Sequence, residues 1–373
     1  MSWRFTRRML TVFAVGIILI CANFVLMNTI QKLDLEQLHL KYRDFIGHGS
    51  GRLPSGYYEK TDSKFSEDNS KEGVNDIIRK PWSYNETAAK EERKEMEQYF
   101  NPYKVITMTS DDVAHGQLAR FYKAKSMDFN IVPAGLHRLL PTKQLFKNER
   151  FRTCSVVGNS GILLNSSCGS KIDSSNFVIR CNFASILGYE KDVGVRTNMI
   201  TFNPSILDKR FKRLATKQDQ ARFQSKLKAY GNYVLWVPVF TKEYVTRTIR
   251  TLLDYLDIYS HTFQNVQLAF PGNVLPEISE FWYSKGVDEE RISTGLLMYN
   301  IASALCEEIH LFGFYPFSDF DGRPLAYHYD DPPNKTHQHY DWGYRRYHRL
   351  PDEFVYLKKL HKKGALKLHI GKC

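Results

Sequence analysis

The residues best suited to bind a phosphate or a ribose lie in a turn that follows a predicted β-strand. The strand-favouring run Cys154–Val157 leads into Gly158-Asn159-Ser160-Gly161, as a strand leads into a phosphate-binding loop. The spacing is neither GxGxxG nor GxxxxGK[ST], so the two common phosphate-loop motifs are excluded. Asn159 offers both a hydrogen-bond donor and an acceptor, and Gly158 and Gly161 would keep backbone close to a ligand. This turn is the first candidate for a nucleotide-binding loop.

A second candidate for phosphate binding is Ser293-Thr294-Gly295, at the start of a predicted helix. Apolar residues recur every four positions over residues 293–308, which predicts a helix there. The unpaired N–H groups of a helix N-terminus bind one phosphate without a metal, and Gly295 would permit close approach. The alternative is that Ser293 and Thr294 only cap the helix.

An alternation of strands and helices must position these residues. Apolar runs of strand length lie at residues 154–159, 176–183, 199–205, 232–240, 266–271 and 309–317. Separated by helical patterns, they predict an α/β fold with a mostly parallel sheet flanked by helices. In such sheets ligands bind beyond the carboxyl ends of the strands, where we expect Asn182 to lie beside Asn159.

The N-terminal segment predicts how the chain is anchored. Arg4, Arg7 and Arg8 precede an apolar run over residues 9–28, close to the ~20 residues of a membrane-spanning helix. A cleaved signal peptide is the alternative, but its apolar core is shorter, ~7–15 residues, and no A-x-A site follows here. The positive-inside rule places residues 1–8 in the cytosol and the rest in the lumen. We expect a type II signal anchor, a flexible stem over 29–75 and a folded domain over 76–373.

Charge, cysteines and sequons fit a lumenal domain. The chain has 52 Lys+Arg against 40 Asp+Glu, a net charge of +12 that suits nucleic acids, acidic membranes or acidic glycans. No zinc-ligand spacing, RNA-binding signature or compact basic helix supports nucleic acid as the partner. Five cysteines lie beyond the span, which allows two disulfides and a free thiol, or an intermolecular link. Sequons for N-glycosylation occur at Asn85, Asn165 and Asn334.

Four segments, in order, resemble the sialylmotifs of the animal sialyltransferases, glycosyltransferase family 29. Residues 154–204 resemble the large motif, and residues 292–314 resemble the small motif. HYDD (His328–Asp331) resembles the third motif, and HRLPDEF (His348–Phe354) carries the H-x4-E pattern of the very small motif. Within the family the chain is most similar to the α2,8-sialyltransferases of the oligosialyl type. That group usually has His-Tyr-Tyr-Asp in the third motif, so Asp330 is a departure, and a second HYD follows at 339–341.

The resemblance implies a single lumenal catalytic domain of Rossmann-like fold, a GT-A variant, with CMP-sialic acid as the donor. The donor-binding residues that it implies are Asn159, Asn182, Ser293, Thr294, Gly295, Tyr315, Tyr327 and His328. His328 would face the phosphate, and Tyr315 would pack on the cytosine, unless it is a core aromatic residue. His348 would be the general base that deprotonates the acceptor hydroxyl, in a single displacement that inverts the donor configuration. Glu353 would orient His348 or cap the following helix.

The resemblance also implies two disulfides, Cys154–Cys306 and Cys168–Cys373, which leave Cys181 as a buried thiol. Separately, Asp319-Phe320-Asp321 matches the DxD motif by which many Golgi glycosyltransferases bind Mn²⁺. A CMP donor has no diphosphate for a metal to bridge. We therefore interpret this DxD as a solvated loop and predict no metal and no cofactor besides the donor substrate.

The acceptor is the least determined feature. The resemblance implies a Golgi membrane enzyme that acts on sialylated glycoproteins or gangliosides. Residues 262–292 carry a net charge of −3, whereas polymer-making relatives are strongly basic there, which argues against long polysialic acid. The segment Lys209–Lys228 holds eight cations and one aspartate, and it would either attract a sialylated acceptor or form a solvated helix face. Two alternative functions stay open: transfer to galactose or GalNAc through α2,3 or α2,6 bonds, and a non-catalytic sialoside-binding ectodomain. Homodimer formation also stays open.

Overall fold

The computed structural model describes residues 71–114, 116–120, 129–132, 134–239, 246–272, 274–288, 292–331 and 348–373. The predicted anchor over 9–28, nearly all of the predicted stem, Asn334 and the second HYD lie outside these ranges. Within these ranges, no helix has the length and apolar character needed to cross a membrane. All of them belong to one compact unit, Phe65–Cys373.

A parallel seven-stranded sheet is the centre of this unit. The strands in chain order are β1 (Leu118–Arg120), β2 (Phe129–Ile131), β3 (Phe151–Val157), β4 (Phe177–Arg180), β5 (Met199–Thr201), β6 (Tyr233–Trp236), β7 (Val266–Ala269), β8 (Cys306–Phe312), β9 (Asp319–Phe320), β10 (Arg323–Pro324) and β11 (Lys367–His369). The sheet has the order β11-β8-β3-β4-β5-β6-β7, and each neighbouring pair is parallel. The pairs β1–β2 and β9–β10 are antiparallel and separate from it. The predicted α/β fold with a mostly parallel sheet is confirmed.

Helices cover both faces of the sheet. They are α1 (Val74–Arg79), α2 (Glu86–Glu97), α3 (Pro102–Ile106), α4 (Ala134–Leu139), α5 (Gly169–Asp173), α6 (Glu190–Val193), α7 (Ser205–Phe211), α8 (Lys217–Lys228), α9 (Thr246–Ile258), α10 (Leu275–Ser284), α11 (Thr294–Leu305) and α12 (Leu350–Lys363). Several begin at side-chain caps that the sequence supplies, such as Asn85 before α2, whose Oδ1 accepts from the Ala88 N–H.

Alternate residues of a strand enter different hydrophobic cores, which explains why the strands are continuous apolar runs in the sequence. In β6, Val234 and Trp236 belong to the core that contains α11, whereas Tyr233 and Leu235 belong to the core that contains α8 and α9. Every residue of α11 from 296 to 305 is buried. This helix therefore lies inside the protein, with its N-terminus at the carboxyl edge of the sheet, because it leads directly into β8.

The predicted helix over 293–308 is three residues too long. The helix ends at Leu305, where Arg93 donates to the Ser303 and Cys306 carbonyl oxygens. β8 starts at Cys306 rather than near residue 309, because Cys306 already pairs with Phe151 of β3. The sequence pattern could not show this pairing between distant segments.

Both disulfides implied by the resemblance are present. Cys154–Cys306 joins the adjacent strands β3 and β8, with Cα atoms 5.9 Å apart. Cys168–Cys373 joins the residue that precedes α5 to the C-terminal segment, with Cα atoms 4.9 Å apart. Cys181 is a buried free thiol, and burial raises its pKa to about 12.

Candidate active site

The candidate site lies where the strand order of the sheet reverses. From β3 the chain proceeds through β4, β5, β6 and β7 in one direction, whereas β8 and β11 lie on the other side of β3. The segments that leave β3 and β8 therefore diverge and open a crevice at the carboxyl edge, the usual ligand site in such sheets. A cleft is present at this position.

The cleft collects every residue that the sequence analysis proposed for donor binding and catalysis. Its lining includes Asn159, Asn182, Ser293, Thr294, Gly295, Tyr315, Tyr327, His328 and His348. These residues come from four separated sequence segments, and four neighbouring strands, β8, β3, β4 and β5, supply the loops that surround them. Asn203, which follows β5, and Phe314, which follows β8, also line the cleft and were not predicted.

The Gly158–Gly161 turn is bonded to the segment that follows β8. The Gly158 N–H donates to the Phe312 carbonyl oxygen at 2.7 Å, and Ser160 Oγ donates to the Tyr315 carbonyl oxygen at 2.6 Å. A Cβ at Gly158 would lie 2.5 Å from the Gly313 carbonyl oxygen, and one at Gly161 would overlap with Ala326. Both glycines therefore allow close approach between protein segments, and Gly158 also lines the cleft, as expected for backbone near a ligand.

The two asparagines of the site differ in how they are held. Asn159 Oδ1 is buried and has no hydrogen-bond partner among the described residues, so it is an acceptor available to a ligand donor. Asn182 and Phe183 both adopt left-handed backbone conformations, with φ of 57° and 51°, which asparagine tolerates but which are costly for a phenylalanine. Thr201 stabilises this turn, since its Oγ1 accepts from the Asn182 N–H at 2.8 Å and donates to Asn182 Oδ1 at 3.3 Å.

The N-terminus of α11 is held by a buried carboxylate. Glu353, 4% exposed, accepts from the Ser293 N–H at 2.7 Å and from Ser293 Oγ at 2.6 Å. Ser293 Oγ also caps α11 by accepting from the Leu296 N–H at 3.1 Å. These hydrogen bonds of Glu353 thus go to the cap residue of α11, a contact that the sequence analysis did not predict. Because both donors of Ser293 are engaged, Thr294 and Gly295 are the better candidates for the predicted phosphate contact.

The third motif contributes His328 to the cleft lining. His328 Nδ1 lies 3.4 Å from Asp331 Oδ2, which also accepts from the His328 N–H at 3.1 Å. The unusual Asp330 accepts from the Ser185 N–H and Oγ, at 3.2 and 3.0 Å. Asp330 therefore fixes the segment that follows Asn182.

Glycosyltransferase family 29 (sialyltransferase) is the family whose model matches this chain, over residues 87–365. The chain belongs to that family. Among solved structures, it is similar to one described as a mammalian sialyltransferase, with 20% identity over 82% of this chain and 86% of that chain and a TM-score of 0.38. Another, described as a mammalian sialyltransferase in complex with Gal-beta-1-3GalNAc-ortho-nitrophenol, has 19% identity over 82% of this chain and 87% of that chain and a TM-score of 0.39.

In this sialyltransferase the aromatic residues of the cleft are already engaged with the protein. The Tyr315 ring is perpendicular to those of Phe317, Phe320 and Phe354, and its hydroxyl donates to the Asp319 carbonyl oxygen. The core-aromatic interpretation of Tyr315 therefore has direct support, although the residue also borders the cleft. The neighbouring Phe314 lies against Gly295 and is the half-buried ring that the sequence reasoning missed.

The DxD aspartates and the described sequon residues of the sialyltransferase are not among the described residues that line the cleft. Asp319 pairs with Lys71 at 2.6 Å and Asp321 lies in the turn between β9 and β10, so neither DxD aspartate borders the cleft. The sequon residues Asn85 and Asn165 are both exposed. Tyr327, in contrast, lines the cleft. Burial raises the pKa of Tyr327, and the charges of Glu353 and Asp331 raise it further, so its phenol stays protonated at neutral pH.

Proposed function

We propose that this sialyltransferase transfers sialic acid from CMP-sialic acid to the terminal sialic acid of a glycoprotein or ganglioside glycan, forming an α2,8 bond. The observation that carries the proposal is the convergence of nine residues, chosen from four separated motifs, on one cleft. We propose that the reaction needs no metal and inverts the donor configuration.

The donor would bind with its phosphate at the N-terminus of α11. Thr294, Gly295 and His328 line the cleft, and the N-terminal N–H groups and dipole of α11 favour an anion at that end of the helix. Asn159 Oδ1 would accept from a ribose hydroxyl or from the cytosine amino group, which satisfies its buried acceptor. These contacts stabilise the negative charge that grows on the CMP phosphate as it leaves.

His348 would act as the general base. The acceptor hydroxyl oxygen forms a bond to the anomeric carbon of the donor sugar while the bond from that carbon to the phosphate oxygen breaks. The electron pair of that bond leaves with CMP, and the acceptor proton goes to an imidazole nitrogen of His348. Histidine suits this transfer because its ordinary pKa lies near neutrality.

The proposed location is the Golgi membrane, with residues 9–28 as a type II anchor and the catalytic domain in the lumen. The arginines before residue 9 support this orientation. The two disulfides and the exposed sequon residues Asn85 and Asn165 support an oxidising, glycosylating compartment.

The test is mass spectrometry of products formed with matched sialylated and asialo acceptors, in the presence of EDTA. The proposal expects one added sialic acid or more on sialylated acceptors only, with a linkage cleaved by an α2,8-specific sialidase. His348→Ala should abolish transfer and retain CMP binding. Transfer to asialo acceptors alone would refute the α2,8 linkage, and normal turnover by His348→Ala would refute the general base.

A further inference from the structure

We propose that the cationic surface of α7 and α8 binds the anionic sugar chain of the acceptor, with Arg210 at the end nearest the cleft. The inference rests on the proposed α2,8 function, and it concerns the sugars behind the one that reacts. This surface, called here the α7–α8 basic surface, consists of Lys209, Arg210, Lys212, Arg213, Lys217, Arg222, Lys226 and Lys228.

The described lining of the cleft offers little fixed positive charge to its proposed substrates. The donor carries a phosphate and a carboxylate, and each sialic acid of an acceptor adds another carboxylate. Among the described residues that line the cleft, none is a lysine or an arginine. A chain of sialic acids that extends out of the cleft would therefore gain from fixed positive charge on a neighbouring surface.

The α7–α8 basic surface begins at the cleft. Asn203 lines the cleft and lies two residues before α7, so Arg210 is seven residues farther on, ~10 Å along a helix of 1.5 Å rise per residue. The Arg210 guanidinium donates to the Phe183 carbonyl oxygen at 3.4 Å, and Phe183 directly follows the cleft residue Asn182. Arg210 also lies 3.8 Å from Asp330, two residues beyond His328, yet its side chain is 41% exposed. It can therefore reach a ligand that extends out of the cleft.

The surface keeps an excess of positive charge. Three described carboxylates pair with it: Asp208 with Arg213 at 3.3 Å, Asp219 with Arg222 at 4.0 Å, and Asp330 with Arg210. Eight cations thus face three paired carboxylates, and seven of the eight cations are exposed. Lys226 is half-buried, with Nζ 5.0 Å from the Tyr230 ring, and burial together with the nearby Arg210 charge lowers its pKa. A bound carboxylate would relieve that repulsion between cations.

The competing interpretation is a solvated helix face that binds nothing. The two interpretations predict different acceptor binding after exposed positive charges are removed by substitutions that leave the core packing intact. Lys209, Lys217 and Lys228 are exposed, so the variant Lys209→Gln/Lys217→Gln/Lys228→Gln should fold normally. A matched control removes three exposed lysines from α2 and α12, as Lys94→Gln/Lys359→Gln/Lys363→Gln.

The probe is a fluorescent α2,8-linked sialic acid tetramer, whose binding to the full chain in detergent is measured by anisotropy. We expect roughly tenfold weaker tetramer binding by the triple variant at low salt, since each exposed ion pair contributes modestly. The difference should shrink at 1 M salt, where the screening length is ~3 Å. CMP binding should be unchanged, and the control should bind the tetramer as the wild type does.

Equal tetramer binding by the wild type and the triple variant, or an equal loss in the control, would overturn the inference. Loss of binding to phosphatidylserine vesicles without any loss of tetramer binding would overturn it as well, because the occupant would then be a membrane. Failure of the proposed α2,8 function and failure of the proposed α7–α8 basic surface give different results. Absence of transfer to any sialylated acceptor refutes the α2,8 function, whereas a selective loss of tetramer binding in the triple variant still supports this surface as the binding site.

Discussion

Replacement of Glu353 by glutamine tests whether this residue acts on α11 or on His348. A glutamine side chain has one acceptor oxygen, so it can keep only one of the two hydrogen bonds from Ser293, at 2.7 and 2.6 Å. Its amide N–H₂ would then face the Ser293 hydroxyl, which would have to turn its own proton away in order to accept. Loss of a hydrogen bond to a charged group costs about 1.5–3 kcal/mol.

Part of this cost should appear in donor binding, because Ser293 directly precedes the proposed phosphate ligands Thr294 and Gly295. We expect Glu353→Gln to lower the free energy of unfolding by about 2 kcal/mol and to weaken CMP binding roughly tenfold. Chemical denaturation and isothermal titration with CMP measure the two effects. Ser293→Ala removes one of the same bonds. The double variant Glu353→Gln/Ser293→Ala should therefore lose less free energy of unfolding and of CMP binding than the two single variants lose together.

The neighbouring carboxylate of Asp352 provides the control. It lies in the same turn of α12 but pairs with Arg349 at 3.0 Å, so Asp352→Asn should leave CMP binding intact. The pH dependence of kcat/KM decides between the two roles. If Glu353→Gln binds CMP normally and instead moves the pH midpoint of kcat/KM, then Glu353 acts on His348 and our reasoning about α11 is wrong.

Three further predictions concern stability and reactivity. His361 Nδ1 accepts from the buried Leu368 N–H, and burial lowers the His361 pKa to about 4, so the unfolded state takes up a proton first as the pH falls. The contribution of His361 to the free energy of unfolding should be complete above pH ~6.5 and should fall toward pH 4, by up to about 1.4 kcal/mol per pH unit. His361→Gln should flatten that slope in urea titrations at several pH values. Gly161→Ala should lower Tm because its Cβ would overlap with the Ala326 carbonyl oxygen, and an unchanged melting curve would contradict the observed packing. Iodoacetamide at pH 8 should leave Cys181 unmodified in the folded protein, since burial raises its pKa to about 12, and rapid labelling detected by mass spectrometry would show an accessible thiol.

The fold could be predicted from the sequence to the extent that local patterns determine it. Buried parallel strands are apolar on both faces, so β3 to β8 were recognisable as runs of Val, Ile, Leu and Phe. β11 is only three residues long and gains its stability from pairing with β8, which no local pattern can show. The start of β8 at Cys306 was missed for the same reason.

The site was predictable where a motif contains the residue and unpredictable where three-dimensional contact decides the role. Asn159, His328 and His348 were identified because their sequence context is specific. The bond between Glu353 and Ser293 joins two helices that are distant in sequence, and the H-x4-E spacing gives no sign of it. Asn203 had a weak signal that could have been used, because it follows a predicted strand at the same edge as Asn182.

The position of β3 between β4 and β8 has a consequence for biosynthesis. Cys154 on β3 and Cys306 on β8 are 152 positions apart, so the ribosome finishes one wall of the crevice long before it begins the other. Until β8 has been translated, the nascent chain exposes an unpaired edge of β3 at what will become the middle of the sheet. A fragment that ends before residue 306 therefore lacks one wall of the crevice and the disulfide partner of Cys154.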